Sequence, residues 1–184
     1  MFAIACLLAT ACGIGLDNGS QDSAATDGGT TPATTQHAWL DPQNAVRAGV
    51  SPAPSTPMPA LNWSEGAASV AQAWANNCVY QHNAGRGNRG ENIAATAPVG
   101  NRNEGAVVGL WAGEVSDYTY STNSCTSGKE CGHYTQIVWA STLRAGCAKQ
   151  SCTTGSPFGS QFPSWDFWVC DYEPPGNFVG QKPY

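Results

Sequence analysis

The chain has 184 residues, a formal net charge of −5 and a sequence pI of about 4.9. This acidic balance argues against a nucleic-acid partner that is held by phosphate neutralisation. No run of about 18 apolar residues is present, so the sequence predicts no membrane span. Hydrophobic residues at 41% of the chain favour one folded domain, and the low charged fraction of 11% leaves most surface polarity to Ser, Thr, Asn, Gln and Gly.

The N-terminal stretch has the composition of an export signal. Met1 to Ala11 is apolar and ends in small residues, which is typical of a short signal sequence. Leu8 to Gly13 resembles a bacterial lipoprotein processing site in which Cys12 is the lipidated residue. Ala9 stands where such sites prefer Leu, so the alternative is plain secretion with Cys6 and Cys12 both removed.

Composition also predicts where the folded domain begins. After a signal segment at 1–12, residues 13–38 are mainly Gly, Ser, Thr, Ala and Asp. Such a segment buries too little apolar surface to offset its ordering entropy, so we predict a flexible linker. The folded domain is predicted at 39–184. Its first helix should begin at Asp41, a good N-cap that is followed by Pro42 in the first helical position.

Apolar periodicity predicts two further helices and two strands. Helical spacing indicates one helix from Ser64 to about Cys78 and another from about Asn103 to Asp117. Arg144 to Ser151 and Trp165 to Tyr172 are rich in β-forming and aromatic residues and predict paired strands. Helices that precede paired strands indicate an α+β domain, with helices layered on a small antiparallel sheet.

Two tryptophans in the last predicted strand conflict with a single buried face. Side chains alternate across a strand, so Trp165 and Trp168 should not both face inward unless the strand contains a bulge. The C-terminal segment from Pro174 to Tyr184 is punctuated by Gly and Pro, and we expect it to run extended over the body of the domain.

The cysteines indicate an oxidising compartment. Six of the eight lie in the predicted domain, namely Cys78, Cys125, Cys131, Cys147, Cys152 and Cys170. Six cysteines in a body of this size are typical of three disulfides. No Cys-x-x-Cys pair is present, which disfavours a zinc–thiolate site. Spacing alone does not select among the fifteen connectivities that six cysteines allow.

Two histidines and two glutamates are the candidate site residues. His82 and His133 lie in structured contexts near cysteines, and Glu91 and Glu114 lie beside apolar runs in a chain that is poor in charge. Two imidazoles with two carboxylates suit a divalent metal ion or acid–base chemistry. The alternative on these residues alone is two histidines satisfied by hydrogen bonds and two ordinary surface glutamates.

Several segments of the domain resemble one known family. Cys131 to Trp139, which reads Cys-Gly-His-Tyr-Thr-Gln-Ile-Val-Trp, resembles the signature of the CAP superfamily, also called the SCP, antigen 5 or pathogenesis-related-1 family. Val169 to Phe178 resembles its second signature. Shorter matches are Gln81-His82-Asn83, Gly90-Glu91-Asn92 and Trp111-Ala112-Gly113-Glu114. The resemblance covers about Leu40 to Tyr184, and the order of the cysteines is that of the plant pathogenesis-related-1 domains.

This resemblance implies a three-layer α-β-α sandwich with a large cleft. The cleft residues that it implies are His82, Glu91, Glu114 and His133. In the family the histidines bind a divalent ion, often zinc, while the carboxylates ligate it or orient its waters. The implied disulfides are Cys78–Cys152, Cys125–Cys131 and Cys147–Cys170.

Two further features concern the ends of the domain. Gln43 stands where the family usually has the histidine of a His-Asn-x-x-Arg motif. That histidine is not a cleft residue, so only the packing of the first helix is expected to differ. The segment from Pro174 to Tyr184 resembles a peptide that plant members release as a defence signal, and the alternative is a packed tail.

We therefore predict a secreted or surface-tethered binding module with a divalent-metal cleft. Its ligand would be a lipid, a sterol or another apolar molecule, or else a protein in a defence or interaction role. The alternative is a zinc-dependent, peptidase-like hydrolase in which Glu91 or Glu114 acts as the base. No His-Glu-x-x-His helix and no Gly-x-Ser-x-Gly elbow supports that alternative. The predicted location is extracellular or at the cell surface, with membrane contact only through a lipid at Cys12.

Overall fold

The computed structural model describes residues 31–184. The predicted signal segment, the lipidation site at Cys12 and residues 13–30 of the predicted linker lie outside the described residues. The helices are α1 Ala33–Ala48, α2 Glu65–Ala75, α3 Glu104–Gly113 and α4 Gly132–Ile137, with short 3₁₀ helices at Glu114–Asp117 and Gly159–Gln161. The strands are β1 Asn62–Trp63, β2 Gly90–Thr96, β3 Tyr118–Thr119, β4 Ser124–Cys125, β5 Arg144–Cys152 and β6 Trp165–Glu173. Within residues 31–184, no helix combines the length and the apolar character that crossing a membrane requires.

A four-stranded sheet in the order β1-β5-β6-β2 forms the middle layer. Strands β5 and β6 pair antiparallel, as predicted, and β2, which the sequence analysis did not predict as a strand, pairs antiparallel with β6. The sheet as a whole is mixed, because the two residues of β1 pair in parallel with Arg144 and Ala145 of β5. Helix α2 packs on one face, and α1, α3 and α4 enclose the other. The predicted α-β-α sandwich is confirmed.

Strand β6 is buried on both of its faces. Trp165, Phe167 and Val169 contribute to the apolar cluster under α2, whereas Trp168 and Tyr172 contribute to the cluster under the other helices. Both tryptophans are fully buried. The expectation that they could not both face inward without a bulge was wrong, because a sheet that is covered on both faces has two interiors.

Helix α1 begins at Ala33, eight residues before the predicted start at Asp41, and Pro42 lies inside it. Residues 33–38, assigned to the linker from composition, are therefore helical. The start is anchored by a contact distant in sequence, since the Thr31 amide and hydroxyl donate to the two oxygens of Glu65 at 2.8 and 2.7 Å. Burial of Trp39 further stabilises the helix and offsets the hydrogen bond that Pro42 removes.

The next two helices begin where their capping residues predict. Ser64 Oγ accepts a hydrogen bond from the amide of Ala67 at 3.2 Å at the start of α2. Asn103 Oδ1 accepts from the amide of Ala106 at 2.9 Å at the start of α3. These bonds satisfy amides that have no partner inside the helix. The predicted third helix changes to 3₁₀ geometry at Glu114, and this change matters for the site below.

The three disulfides that the resemblance implied are all present. Cys78–Cys152 joins the chain after α2 to the end of β5, and Cys147–Cys170 joins β5 to β6. Cys125–Cys131 closes the loop in front of α4. The last bond fixes the point at which α4 begins, one residue before the second histidine of the site.

The C-terminal segment packs against the body of the domain. The Ala140 amide donates to the Pro183 carbonyl at 2.7 Å, and Asn123 Nδ2 donates to the Gln181 carbonyl at 2.9 Å. Tyr184 stacks on Tyr120 with 4.5 Å between ring centroids. The segment is extended and in contact with the domain, as predicted.

Candidate functional site

His82 and Glu91 form the first pair of the site. His82 lies in the loop after α2, and Glu91 is the second residue of β2. The His82 Nδ1 atom is 2.7 Å from Glu91 Oε1, and the same oxygen accepts the Asn83 amide at 2.9 Å. The Glu91 side chain is only 1% exposed whereas that of His82 is 56% exposed. The carboxylate is therefore a buried support for a ring that faces solvent.

His133 and Glu114 form the second pair. Glu114 begins the 3₁₀ helix that follows α3, and its Oε2 accepts the amides of His133 and Tyr134 at 3.0 Å each. These two bonds hold the first turn of α4 in place. Glu114 Oε1 lies 2.5 Å from His133 Nδ1. Trp111 stacks on the imidazole, with 6.1 Å between ring centroids.

The two pairs share one geometry. In both, a carboxylate accepts from Nδ1, so the proton of the neutral imidazole resides there and the lone pair of Nε2 stays free. Neutral imidazoles with one nitrogen bound by a carboxylate are the usual form of metal-ligating histidines. Glu91 and Glu114 are therefore placed to orient the rings.

A buried hydrogen-bond chain connects the pairs to α1. Asn92, the residue after Glu91, donates through Nδ2 to the His133 carbonyl at 3.0 Å and to the Tyr172 hydroxyl at 3.2 Å. The Tyr172 hydroxyl in turn donates to Gln43 Oε1 at 2.8 Å. Burial raises the pKa of Tyr172, so this hydroxyl keeps its proton. The glutamine that replaces the family's usual histidine thus supports the turn that carries His133.

The four predicted residues do not form one compact ligand cluster. Within residues 31–184, no group of three or more His, Cys, Asp or Glu side chains is close enough to hold a metal ion. The donors that the geometry leaves free are the two Nε2 atoms. Structural zinc sites use four protein ligands and catalytic sites use three. The chemistry of the set nevertheless fits a divalent cation, since oriented neutral imidazoles are good zinc ligands, and water or a bound ligand would complete the coordination.

A cavity of about 360 Å³ lies beside the first pair. Its lining residues are His82, Arg86, Arg89, Gly90, Glu91, Gln136, Pro175, Gly176 and Asn177. Sequence reasoning missed the two arginines, although both lie in the glycine-rich loop before β2. Gln136, one turn after His133 in α4, brings the second signature segment into the wall because its Oε1 accepts the Gly176 amide at 3.0 Å.

Asp171 is a buried acid next to this cavity that sequence reasoning also missed. It lies opposite Glu91 in the β2–β6 ladder and is fully buried. Within residues 31–184, neither of its oxygens has a hydrogen-bond partner, and Glu91 Oε2 has none either. Burial first and then the charge of Glu91 raise the pKa of Asp171 to about 7, against the opposing effect of Arg89 and Arg86. The carboxyl therefore gains its charge only near neutral pH.

Comparison with known proteins identifies the family. The family model described as "cysteine-rich secretory protein family" (CAP) matches residues 40–172. The chain belongs to the CAP family. CAP relatives include peptidase inhibitor 16 of Mus musculus, which is 41% identical over 159 residues, or 85% of this chain. This chain spans only 31% of the length of that relative.

A second relative and a solved structure are also similar to this chain. Pathogenesis-related leaf protein 4 of Solanum lycopersicum is 38% identical over 146 residues, which is 79% of this chain and 81% of the relative. The crystal structure of NaASP2 with Zn²⁺ superposes with a TM-score of 0.64 over 83% of this chain and 86% of that one, at 22% identity. This likeness establishes the shared CAP fold. The disulfides agree with the extracellular location expected of secreted CAP proteins.

Proposed function

We propose that this CAP domain is a secreted binding module that holds a divalent cation through the Nε2 atoms of His82 and His133, with zinc as the first candidate. The observation that carries the proposal is the contact of each Nδ1 with a carboxylate, at 2.7 Å to the buried Glu91 and at 2.5 Å to the partly buried Glu114. This contact selects the tautomer that leaves Nε2 free. NaASP2, which has the same fold, has been crystallised with Zn²⁺.

Glu91 and Glu114 hold the proton at each Nδ1 and fix the plane of each ring. Both act in this way before any ion arrives, so the cation would meet preoriented nitrogen atoms. When bound, the ion would supply a Lewis-acidic centre that accepts water or an oxygen or nitrogen atom of a ligand. Orientation of this kind is typically worth about 10- to 100-fold in metal affinity.

The hydrogen bonds and burial of the two carboxylates favour binding over hydrolysis. A general base needs an oxygen that reaches a water molecule. Glu114 already receives three hydrogen bonds, and the free Oε2 of Glu91 is buried. Zinc-dependent hydrolysis with Glu91 or Glu114 as the base is therefore the second candidate. It would require one of these side chains to leave its histidine.

An apolar depression supports the proposal of a lipid, sterol or other apolar ligand. It has a volume of about 260 Å³ and lies where the end of α1 meets the 3₁₀ helix after α3. Val46, Val50, Ala112, Val115 and Tyr134 line it. Apolar contact of this kind is the usual basis of small-molecule binding. Tethering through a lipid on Cys12 completes the proposal, and mass spectrometry of the intact native protein tests that part.

Calorimetric titration of zinc into the metal-free protein tests the metal site. The wild type is compared with the double variant His82→Ala/His133→Ala and with His37→Ala. His37 is a matched control, because its side chain is 70% exposed and its one polar side-chain partner among residues 31–184 is Asp41, at 3.1 Å. We expect zinc binding to disappear in the double variant and to persist in the control. Equal binding in all three proteins would contradict the proposal.

The same proteins separate binding from hydrolysis. Peptide and ester substrates are incubated with and without zinc, and release of product is measured. The proposal predicts no zinc-dependent turnover above the rate of the double variant. Turnover that requires zinc and is lost in Glu91→Gln or Glu114→Gln, while zinc still binds, would favour the hydrolase.

A further inference from the structure

The loop before β2 holds two guanidinium groups in fixed positions. Arg86 donates through Nε to the Arg89 carbonyl at 3.0 Å and through Nη1 to the Asn83 carbonyl at 2.8 Å. Arg89 donates through Nη1 to the Arg86 carbonyl at 3.0 Å and through Nε to Glu173 Oε1 at 2.7 Å. Each guanidinium is thus fixed by the protein at Nε and Nη1, which lowers the entropy lost when Nη2 binds a ligand.

The Nη2 nitrogen of each group, in Arg86 and in Arg89, has no partner among the described residues. Both side chains line the 360 Å³ cavity together with His82. Planar guanidinium groups with unused donors match the oxygen atoms of carboxylates and phosphates better than any other side chain does.

The guanidinium groups around the cavity are more accessible to a ligand than the carboxylates are. Glu173 is bound by Arg89 and also by Arg144, at 2.7 and 3.2 Å, so its charge is already shared. Within the described chain, Arg86 has no carboxylate within ion-pair distance. Glu91 lines the cavity with a side chain that is only 1% exposed, and Asp171, whose charge interacts with Arg86, is fully buried. A ligand in the cavity therefore meets guanidinium groups before it meets carboxylates.

We propose that the cavity binds an oxyanion, a carboxylate or phosphate group, between the Nη2 atoms of Arg86 and Arg89 beside His82. The ligand class of the cleft is then an acidic molecule. Its charged group binds the arginines, and its remainder extends toward the histidine. This proposal names the ligand class of the proposed binding module. It rests on the proposed function only for the cation next to the anion, because the arginine contacts need no metal.

Nuclear magnetic resonance titration of the metal-free protein with inorganic phosphate and with acetate tests the site. A chelating resin removes metal, since soluble chelators are themselves polycarboxylates. We expect saturable shifts of the Arg86 and Arg89 side-chain Nε–H signals and of the backbone amides of residues 83–91. If saturable shifts occur only in other parts of the chain, this titration of the wild-type protein alone overturns the proposal.

Three variants separate the site from general electrostatics. Arg86→Gln should bind phosphate at least about tenfold more weakly, since charge-assisted hydrogen bonds of this type contribute that much or more. Arg86→Lys keeps the charge but loses the fork and should bind with intermediate affinity. Arg144→Gln is the matched control, because Arg144 also binds Glu173 but lies outside this cavity, and its affinity should stay within about twofold of wild type. Equal losses in Arg86→Gln and Arg144→Gln would overturn the proposal.

Further binding measurements identify the source of the anion. They also test the oxyanion site independently of the metal site. Binding of glycerol phosphate supports a soluble ligand, whereas sedimentation with phosphatidic acid vesicles that Arg86→Gln abolishes supports a lipid headgroup. Failure of phosphate, acetate, glycerol phosphate and vesicles alike overturns the oxyanion site. Phosphate binding without zinc binding leaves this site in place and removes the metal proposal, and the reverse result does the opposite.

Discussion

Replacement of Asp171 by Asn should stabilise the protein in a pH-dependent way. The carboxyl is fully buried without a hydrogen-bond partner, and its pKa is raised from 3.8 to about 7. Because the folded state holds this proton more tightly than the unfolded state does, the contribution of Asp171 to stability is greatest below pH 4 and decreases as the pH rises towards 7. At about 1.4 kcal/mol per pKa unit, the total loss approaches about 4 kcal/mol above pH 7.

Asparagine carries no charge and supplies an amide donor opposite the unpartnered Glu91 Oε2. We therefore expect Asp171→Asn to match wild type near pH 4 and to exceed it by up to about 4 kcal/mol at pH 8. Urea unfolding of the metal-free proteins at pH 4, 6 and 8, followed by tryptophan fluorescence, measures this difference. Asp41→Asn is the control, because Asp41 is 70% exposed. A difference that does not change with pH, or a variant less stable than wild type at pH 8, would refute the reasoning.

Two further substitutions test what holds the fold together. Arg47 is buried and donates to the carbonyls of Pro59, Ile137, Trp139 and Thr142 at 2.7 to 3.1 Å, so Arg47→Lys, which cannot span all four, should lose about 3 kcal/mol or more in urea unfolding. Burial lowers the pKa of Arg47 to about 10, so it stays charged throughout that assay and an unchanged midpoint would count against the carbonyl contacts. Removing Cys78–Cys152, which closes a loop of 74 residues, should cost about 4 kcal/mol, against about 2 for the six-residue loop of Cys125–Cys131. Thermal unfolding of the two double Cys→Ala variants compares them, and equal losses would contradict the loop-length argument.

Local signals made most of the fold predictable. Ser64 and Asn103 mark two helix starts because a capping side chain and the amide it satisfies lie three residues apart. Strands β5 and β6 were also predictable locally, because the composition of each segment by itself indicates a strand. The start of α1 was not predictable in this way, because the bond between Thr31 and Glu65 joins residues that lie 34 positions apart. The burial of Trp165 and Trp168 also depended on knowing that helices cover both faces of the sheet.

The candidate site was likewise predictable only in part from the sequence. Residue types and the family resemblance gave His82, His133, Glu91 and Glu114 as candidates, and the resemblance supplied the disulfide pairing that spacing left open. Which ring nitrogen meets each carboxylate depends on the 3₁₀ turn at Glu114 and on the loop after α2. Asp171 and Arg86 gain their importance only from neighbours that are distant in sequence, so their environment becomes visible only once the chain is folded.

The hydrogen-bond chain from Gln43 through Tyr172 and Asn92 to the His133 carbonyl has a practical consequence for protein engineering. It crosses from the first helix through the sheet to the helix of the second histidine. A library that varies only residues lining the cavity would leave this support untouched. Substitutions at Gln43 should retune ligand affinity in the cleft without contacting the ligand, so selection experiments on this scaffold should randomise Gln43 together with the cavity wall.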